Sequence, residues 1–313
     1  MTHRAVLFPG QGAQFVGMHA DLVARCPETE AMFSAASRLL GRDLYALVRE
    51  GPSEVLDSTA VSQPAIFVVS LAVTRAIAQI GGEPALHAMG TAGLSLGEYS
   101  ALVFSGAVPF AAALEVVVRR GEYMQEACDR HPSGMSSILG LDFGAVREVV
   151  ALASASGVVA ISNVNADQQI VVSGELGALE RAAQLALERG ARKVVPLKVA
   201  GAYHSPLMAS ATGKLLPFLE RLEIRPPRVP FYPNVTAEAT RDPEVIRAGL
   251  IRQIESAVLW APTLRALVAD GMQSALEPGP GRVVAGLVKQ VERTIPVHSV
   301  LDEASVTQYA ASL

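Results

Sequence analysis

Cysteine is nearly absent from this chain. Cys26 and Cys128 are the only two in 313 residues, and neither belongs to a Cys-x-x-Cys pair. That excludes a disulfide framework and leads to the expectation of a reduced, cytosolic protein. Metal-binding spacing is missing too. The six histidines form no His-Glu-x-x-His or related pattern, so no metal is expected. There is no excess of basic charge: 26 Lys and Arg stand against 30 Asp and Glu, a net charge of -4. A nucleic-acid binder would usually be basic, so none is expected. No apolar run approaches the roughly 20 residues that cross a bilayer. The longest, Ala65 to Val73, is interrupted by Ser70 and reads as a buried helix, so no membrane partner is expected either. Pro9 and Gly10 arrive too early for a signal peptide. Repeats and low-complexity tracts are absent.

Apolar residues, by contrast, make up 50% of the chain, enough for a large core in one domain or two. Ala5 to Phe8 reads as a strand ending at Pro9-Gly10-Gln11-Gly12, and helical patterns then dominate to about residue 80. Pro64 suits the first turn of a helix running through Leu71 and Ile77. Ala85 to Ala92 reads as a strand, Glu98 to Ala107 as a helix, and Phe110 to about Cys128 as another. The character changes at His131-Pro132-Ser133-Gly134. From there the pattern predicts a strand at 136–141, a helix at 143–154, strands at 158–163 and 169–173, a helix at 175–189 and a strand at 193–199. That order, β-α-β-β-α-β, is ferredoxin-like. Beyond it the spacing predicts a helix near Leu207 to Leu222, strands near Val229 and Ser274, and a helix from Gly281 to Val291. Strands alternating with helices on both sides of an insertion imply an α/β core with a mainly parallel sheet.

Between the strand and the helix near residue 95 lies Gly93-Leu94-Ser95-Leu96-Gly97. A Gly-x-Ser-x-Gly on a sharp strand-to-helix turn presents the serine hydroxyl above the positive end of the helix, which makes Ser95 a candidate nucleophile. A serine hydroxyl needs a base. His204 has the most suggestive setting of the six histidines, in the small-residue loop Val199-Ala200-Gly201-Ala202-Tyr203-His204-Ser205-Pro206. His3 lies at the chain end, and His19, His87, His131 and His298 read as surface or satisfied polar residues. An oxyanion hole needs two donors. The Leu96 amide is one candidate, and the loop Pro9 to Ala13 could supply the second. A dinucleotide reading of Gly10-x-Gly12 is weak, because Phe15 stands where the third glycine belongs.

Helical spacing separates two adjacent arginines. Arg119 shares a face with Glu115, Glu122 and Glu126, a solvated stripe. Arg120 shares its face with Val116, Val117 and Met124. A cation on an apolar face needs a charged partner. Two readings stay open: a structural ion pair, or a socket for a substrate carboxylate held by two parallel hydrogen bonds.

Together these residues resemble the malonyl-CoA:acyl carrier protein transacylase family. The matching segments are Phe8 to Gln14, Gly93 to Ala101, Arg120 to Gln125, Asn163-Val164-Asn165, Gly201 to His204 and Glu277-Pro278-Gly279-Pro280-Gly281. The resemblance implies an α/β fold. Residues 1–130 and 200–313 would form a hydrolase-like large subdomain with a mainly parallel sheet, and residues 131–199 an inserted ferredoxin-like small subdomain. It implies an acyl-carrier-protein S-malonyltransferase working by ping-pong transfer, with malonyl-CoA and holo acyl carrier protein as partners, no cofactor, and a monomeric state. Ser95 would be the acylated nucleophile and His204 its base. Gln11 and Leu96 would be backbone oxyanion donors, Arg120 would bind the malonyl carboxylate, and a main-chain carbonyl at Gln253 would orient the histidine. Gln63, Leu94, Met124, Asn163, Asn165 and Tyr203 would line the substrate channel.

Leu94 replaces a histidine common in the family, and Tyr203 a phenylalanine common in malonyl-selective members. Tyr203 has two readings, packing beside its loop or walling the acyl pocket. Asp142 and Asp167, where a hydrolase order would put an acid, read as turn residues. Rival readings are a trans-acting polyketide-synthase acyltransferase of broader scope, an acyl-thioester hydrolase, and a non-catalytic carrier-protein docking module. Arg282, Lys289 and Arg293 offer a basic patch for an acidic carrier, or simply a solvated helix face.

Overall fold

The computed structural model describes residues 3–18 and 26–312; His19 lies outside them. Two four-stranded sheets organise the chain. The first is wholly parallel, in the order β2-β1-β7-β8, from β1 (Arg4–Phe8), β2 (Gly90–Gly93), β7 (Ser274–Pro278) and β8 (Val297–Val300). Every residue of β1 and β2 is buried, as expected of strands covered on both faces. After β1 the chain builds β2 on one side and later β7 on the other. The loops leaving the carboxyl ends of β1, β2 and β7 therefore gather at one edge, where open α/β sheets bind ligands.

The helices between β1 and β3 are α1 (Pro27–Leu40), α2 (Leu44–Glu50), α3 (Ser53–Leu56), α4 (Thr59–Gly81), α5 (Gly97–Phe104) and α6 (Phe110–Arg130). Contrary to the sequence reading, which stopped the apolar run at Val73, α4 among the described residues is long and apolar enough to cross a membrane, because its scattered Ser and Thr leave its average apolar; most of it is buried inside the protein against α6, α13 (Glu303–Ala311), α1 and α5. This helix begins five residues before Pro64, not at it. Its start is set by a tertiary contact, the Thr59 amide donating to Gln125 Oε1 on α6 at 3.0 Å, which no local signal announces.

The second sheet is antiparallel, in the order β4-β5-β3-β6, from β3 (Ser133–Leu139), β4 (Val159–Ala166), β5 (Gln169–Glu175) and β6 (Lys193–Pro196). Helices α7 (Phe143–Ala153) and α8 (Leu176–Glu188) pack on it over a hydrophobic cluster that includes Ile138, Val146, Ile170 and Leu185. Asp142 caps α7 by accepting from the Ala145 amide at 2.8 Å, and Asp167 in the β4–β5 turn pairs with Arg265, so both are turn residues as read. At the edge strand β4, Val258 donates to Ser162 O (2.8 Å) and Val164 donates to Val258 O (2.9 Å), which ties this sheet to the returning chain.

Several expected elements differ. The strand expected over 85–92 is only Gly90–Gly93. Residues Glu83–Leu86 form a 3-10 turn, and the Arg4 guanidinium holds the carbonyls of Ala85 (2.6 Å) and His87 (3.0 Å). No strand forms at Val229. Pro226, Pro227, Pro230 and Pro233 deny the amides a ladder needs, and only Phe231 makes isolated bridges, to Thr91 and Thr240. Beyond α9 (Ala209–Arg221) lie α10 (Pro243–Gln253) and α11 (Trp260–Ala269), which, like β8 and α13, were not foreseen. Arg282 precedes α12 (Val283–Val291) and Arg293 follows it, so the three basic residues do not share one helix face.

Helix α6 meets α4 at Gly121, where an added Cβ would lie 2.8 Å from Thr59 O and 3.2 Å from Ala60 Cα. Both are backbone atoms and cannot swing aside. Gly121→Ala is expected to destabilise the protein by about 1–3 kcal/mol through overpacking, seen as a lower urea midpoint at unchanged m-value. An unchanged midpoint would contradict this reading of the helix contact.

Candidate active site

Steric necessity shapes the turn that carries Ser95. Ser95 has φ 51°, a left-handed conformation that costs a non-glycine residue about 1–2 kcal/mol. A Cβ on Gly93 would sit 1.9 Å from the Gly97 carbonyl carbon, one on Gly97 would sit 2.5 Å from Phe8 O, and one on Gly10 would sit 2.3 Å from Leu94 O. The glycines thus let three backbone segments cross at one point, and the first loop lies directly against the turn.

Ser95 Oγ is 2.8 Å from His204 Nε2. His204 Nδ1 faces two main-chain carbonyls, Gln253 O at 2.9 Å and Ser256 O at 3.1 Å. Two acceptors fix the proton on Nδ1 and leave the Nε2 lone pair toward the serine. His204 also has a left-handed backbone, φ 57°. Burial, reinforced by the nearby Arg120 charge, lowers its pKa to about 4, so the ring is neutral at physiological pH. His3, His87, His131 and His298 are all exposed.

Arg120 is 1% exposed. Its Nη1 donates to Gln63 Oε1 at 2.6 Å, and its Nη2 donates to Ser95 Oγ at 3.0 Å and Gln253 Oε1 at 2.9 Å. Among the described residues no carboxylate lies within ion-pair distance of it, and its Nε is buried without a hydrogen-bond partner. Burial lowers its pKa. Its neighbour Arg119 pairs with Glu122 at 2.8 Å on the solvated face. The two arginines divide as helical spacing predicts, and the buried one lacks the direct ion pair that a purely structural role calls for.

The Gln11 side chain donates to Tyr203 Oη (3.2 Å) and Thr59 Oγ1 (3.4 Å) and accepts from Gln63 Nε2 (3.4 Å). These contacts fix the loop that carries the Gln11 amide. Leu96 is buried immediately after the serine, at the start of α5. Gln63 Nε2 also contacts Met124 Sδ at 3.4 Å, joining α4 to α6 beside Arg120. The Tyr203 hydroxyl bonds Thr59 Oγ1 as well as Gln11, and burial raises its pKa to about 12. Tyr203 is therefore bound into the network by its hydroxyl in addition to packing. Leu94 packs beside the cluster around Trp260. Asn163 and Asn165, half-buried on β4, make no hydrogen bond to Ser95, His204 or Arg120. Asn163 bridges Val258, two residues past the Ser256 carbonyl, and Asn165 Oδ1 is buried without a partner. Among the described residues no cluster of three or more His, Cys, Asp or Glu could hold a metal.

Two buried residues escaped the sequence reading. Glu98, 1% exposed, accepts from the Asn234 amide and from Gln253 Nε2. Burial pushes its pKa upward, against the pull of those two N–H donors and of the Arg120 charge. Asn234, 0% exposed, accepts from the Ser95 amide at 2.7 Å and donates to Gly93 O at 2.7 Å. The available signals were a carboxylate in the first turn of an otherwise apolar helix, and an asparagine in the proline-rich segment after Pro233.

The lowered pKa of His204 has a stability consequence. Between about pH 4 and 6.5 the unfolded chain takes up a proton at this ring that the folded protein refuses, so the term stabilises above 6.5 and is lost as pH falls. His204→Gln should therefore show a shallower loss of urea stability than the parent across that window. The opposite contribution from Glu98 is common to both proteins and cancels in the difference. Equal slopes would contradict the buried neutral imidazole.

Comparison with known proteins finds similarity along the whole chain. The acyl transferase domain family matches residues 6–309. The malonyl CoA-acyl carrier protein transacylase of Escherichia coli K12 is 39% identical over 314 residues, covering 100% of both chains. A solved acyl carrier protein S-malonyltransferase from Vibrio cholerae superposes with a TM-score of 0.92 at 39% identity, covering 98% of this chain and 99% of that one. A malonyl-transacylase solved in complex with its type II polyketide-synthase acyl carrier protein gives a TM-score of 0.93 at 38% identity, covering 99% of each chain. A serine–histidine pair and an unpaired buried guanidinium thus sit in a chain matched end to end by acyltransferases, and the chain belongs to the malonyl-CoA:acyl carrier protein transacylase family.

Proposed function

We propose that the protein transfers a malonyl group from malonyl-CoA to the phosphopantetheine thiol of an acyl carrier protein through a malonyl-serine ester. One observation carries this reading: the buried Arg120 guanidinium lies 3.0 Å from the nucleophile's Oγ and, among the described residues, has no carboxylate of its own. A diacid thioester supplies the missing anion. With its carboxylate on Arg120, its thioester carbonyl is held against Ser95. A desolvated charge of this kind is worth most where water is excluded.

The chemistry follows from the hydrogen bonds. His204 Nε2 takes the Ser95 hydroxyl proton as Oγ attacks the thioester carbonyl, and the Gln253 and Ser256 carbonyls stabilise the resulting imidazolium through Nδ1–H. The Gln11 and Leu96 amides serve as donors to the tetrahedral oxyanion. Collapse breaks the C–S bond, and His204 returns the proton to the CoA thiolate. The carrier thiol then repeats these steps against the ester. It gives its proton to His204, forms the new C–S bond and restores the Ser95 hydroxyl. Bonds of the same kind are broken and made, so the chain needs no redox or metal cofactor for the transfer. Gln63, Met124 and Tyr203 shape the acyl end of the channel, with Leu94 flanking the nucleophile and Asn163 and Asn165 further out on β4.

The finer architecture fits the same reading. Residues 1–130 and 200–313 act as a hydrolase-like large subdomain around the parallel sheet. Residues 131–199 act as a ferredoxin-like small subdomain, supported by the strand order β4-β5-β3-β6. The protein works in the cytoplasm, consistent with two buried free cysteines.

Arg120→Ala is expected to lower kcat/KM for malonyl-CoA by about 10²- to 10³-fold, the cost of removing one partner from a buried charge pair. Loading of uncharged acetyl-CoA should fall far less. Equal losses for the two donors would refute the carboxylate socket. Brief exposure to malonyl-CoA should add one malonyl mass to the parent and none to Ser95→Ala; a labelled alanine variant would place the nucleophile elsewhere.

A further inference from the structure

Both backbone polar groups of Ser95 are held by side chains. Its amide donates to Asn234 Oδ1 at 2.7 Å, and its carbonyl accepts from Gln253 Nε2 at 2.8 Å. Asn234 completes its clamp by donating Nδ2 to Gly93 O at 2.7 Å, so one amide side chain spans the strained turn from before the serine to the serine itself. Both clamps lead to one carboxyl group. Glu98 Oε1 accepts from the Asn234 amide and Oε2 from Gln253 Nε2. Each oxygen faces an N–H and neither faces an acceptor, the pattern of a carboxylate, which accepts and never donates. Gln253 in turn offers Oε1 to Arg120 and its main-chain carbonyl to His204. The chain therefore runs from Glu98 to the nucleophile, to the base and to the guanidinium without leaving the buried interior.

We propose that Glu98 and Asn234 are positioning residues of the acyl transfer, with the Glu98 carboxylate anchoring the Asn234 main chain and the Gln253 side chain, so that the Asn234 and Gln253 side chains fix the Ser95 backbone in its left-handed conformation. Neither residue touches the reacting atoms. Their contribution is to hold Oγ where the His204 lone pair and the oxyanion amides meet it. A displacement of about 1 Å costs roughly a hundredfold in rate. Truncation at position 234 leaves the Ser95 amide and the Gly93 carbonyl without partners. Glutamine at position 98 presents an N–H to one of two donors, so one of the two contacts must break.

This inference rests on Ser95 being the nucleophile, and the test separates the two. Single-turnover malonylation of the full-length protein by saturating malonyl-CoA is followed by intact mass, giving a rate constant and an amplitude. Glu98→Gln and Asn234→Ala should each lower the rate constant about 10- to 100-fold at full amplitude. KM for malonyl-CoA should stay within about threefold in Asn234→Ala, because Arg120 keeps its contacts. The double variant should lose little more than the worse single one, since both act through one clamp. If Asn234→Ala gives no folded protein, Asn234→Asp takes its place, keeping an acceptor for the Ser95 amide and losing the donor to Gly93. A merely structural role would reduce the amplitude and leave the rate constant of the surviving sites at the parental value. That result, parental rates in both variants, or fully additive losses would overturn the inference. Ser95→Ala runs in parallel. Abolished labelling there, with parental rates in the other variants, overturns this inference alone, whereas persistent labelling overturns the nucleophile assignment and this inference with it.

Discussion

An isolated positive charge in a buried site is the constraint on which the rest of this structure depends. Arg120 is removed from water, and its hydrogen bonds go to two glutamine side chains and a serine hydroxyl, none of which neutralises it. Glu98 acts on the charge across space, with Gln253 between them and no direct contact. Leaving a charge so placed is expensive, and the cost is tolerable where a ligand completes the pair. The same cation helps keep His204 neutral, which is the state a base must be in before it takes a proton. In the function proposed here, anion recognition and base activation would therefore draw on one group.

The fold delivers this arrangement by bringing distant segments to one sheet edge. Ser95 follows β2, Gln11 follows β1, and Arg120 and Gln63 face each other across the α4–α6 contact, which Gly121 keeps close. His204 arrives from the loop after β6, and its carbonyl acceptors come from the end of α10 and the segment beyond. That segment is the one Val258 pins to β4, so the second sheet helps fix the histidine's partners.

How legible a residue was in the sequence depended on how local its reason is. The turn at Ser95 was readable because its glycines answer a steric demand within five residues. Arg120 was separable from Arg119 because helix periodicity alone places it on the apolar face. The succession of strands and helices between residues 133 and 196 was readable from alternating patterns and short turns. Pro64 misled because the start of α4 is set by Gln125 from another helix. Residues 85–89 misled because Arg4 captures carbonyls that a strand would have used. Glu98 and Asn234 were invisible for the same reason. Their meaning lies in a contact spanning 136 residues, and neither belongs to a pattern that spacing can expose. The main-chain acceptors of His204 carry no side-chain signature, and only the family resemblance pointed to Gln253.

The most direct test of the account is a crystal structure of the protein trapped as its acyl-enzyme after exposure to malonyl-CoA. The account predicts an ester on Ser95 Oγ whose free carboxylate is gripped by the Arg120 guanidinium, with His204 Nδ1 still bonded to the Gln253 and Ser256 carbonyls. A malonyl carboxylate pointing into solvent, or held by any other cation while Arg120 keeps only its glutamine partners, would contradict it.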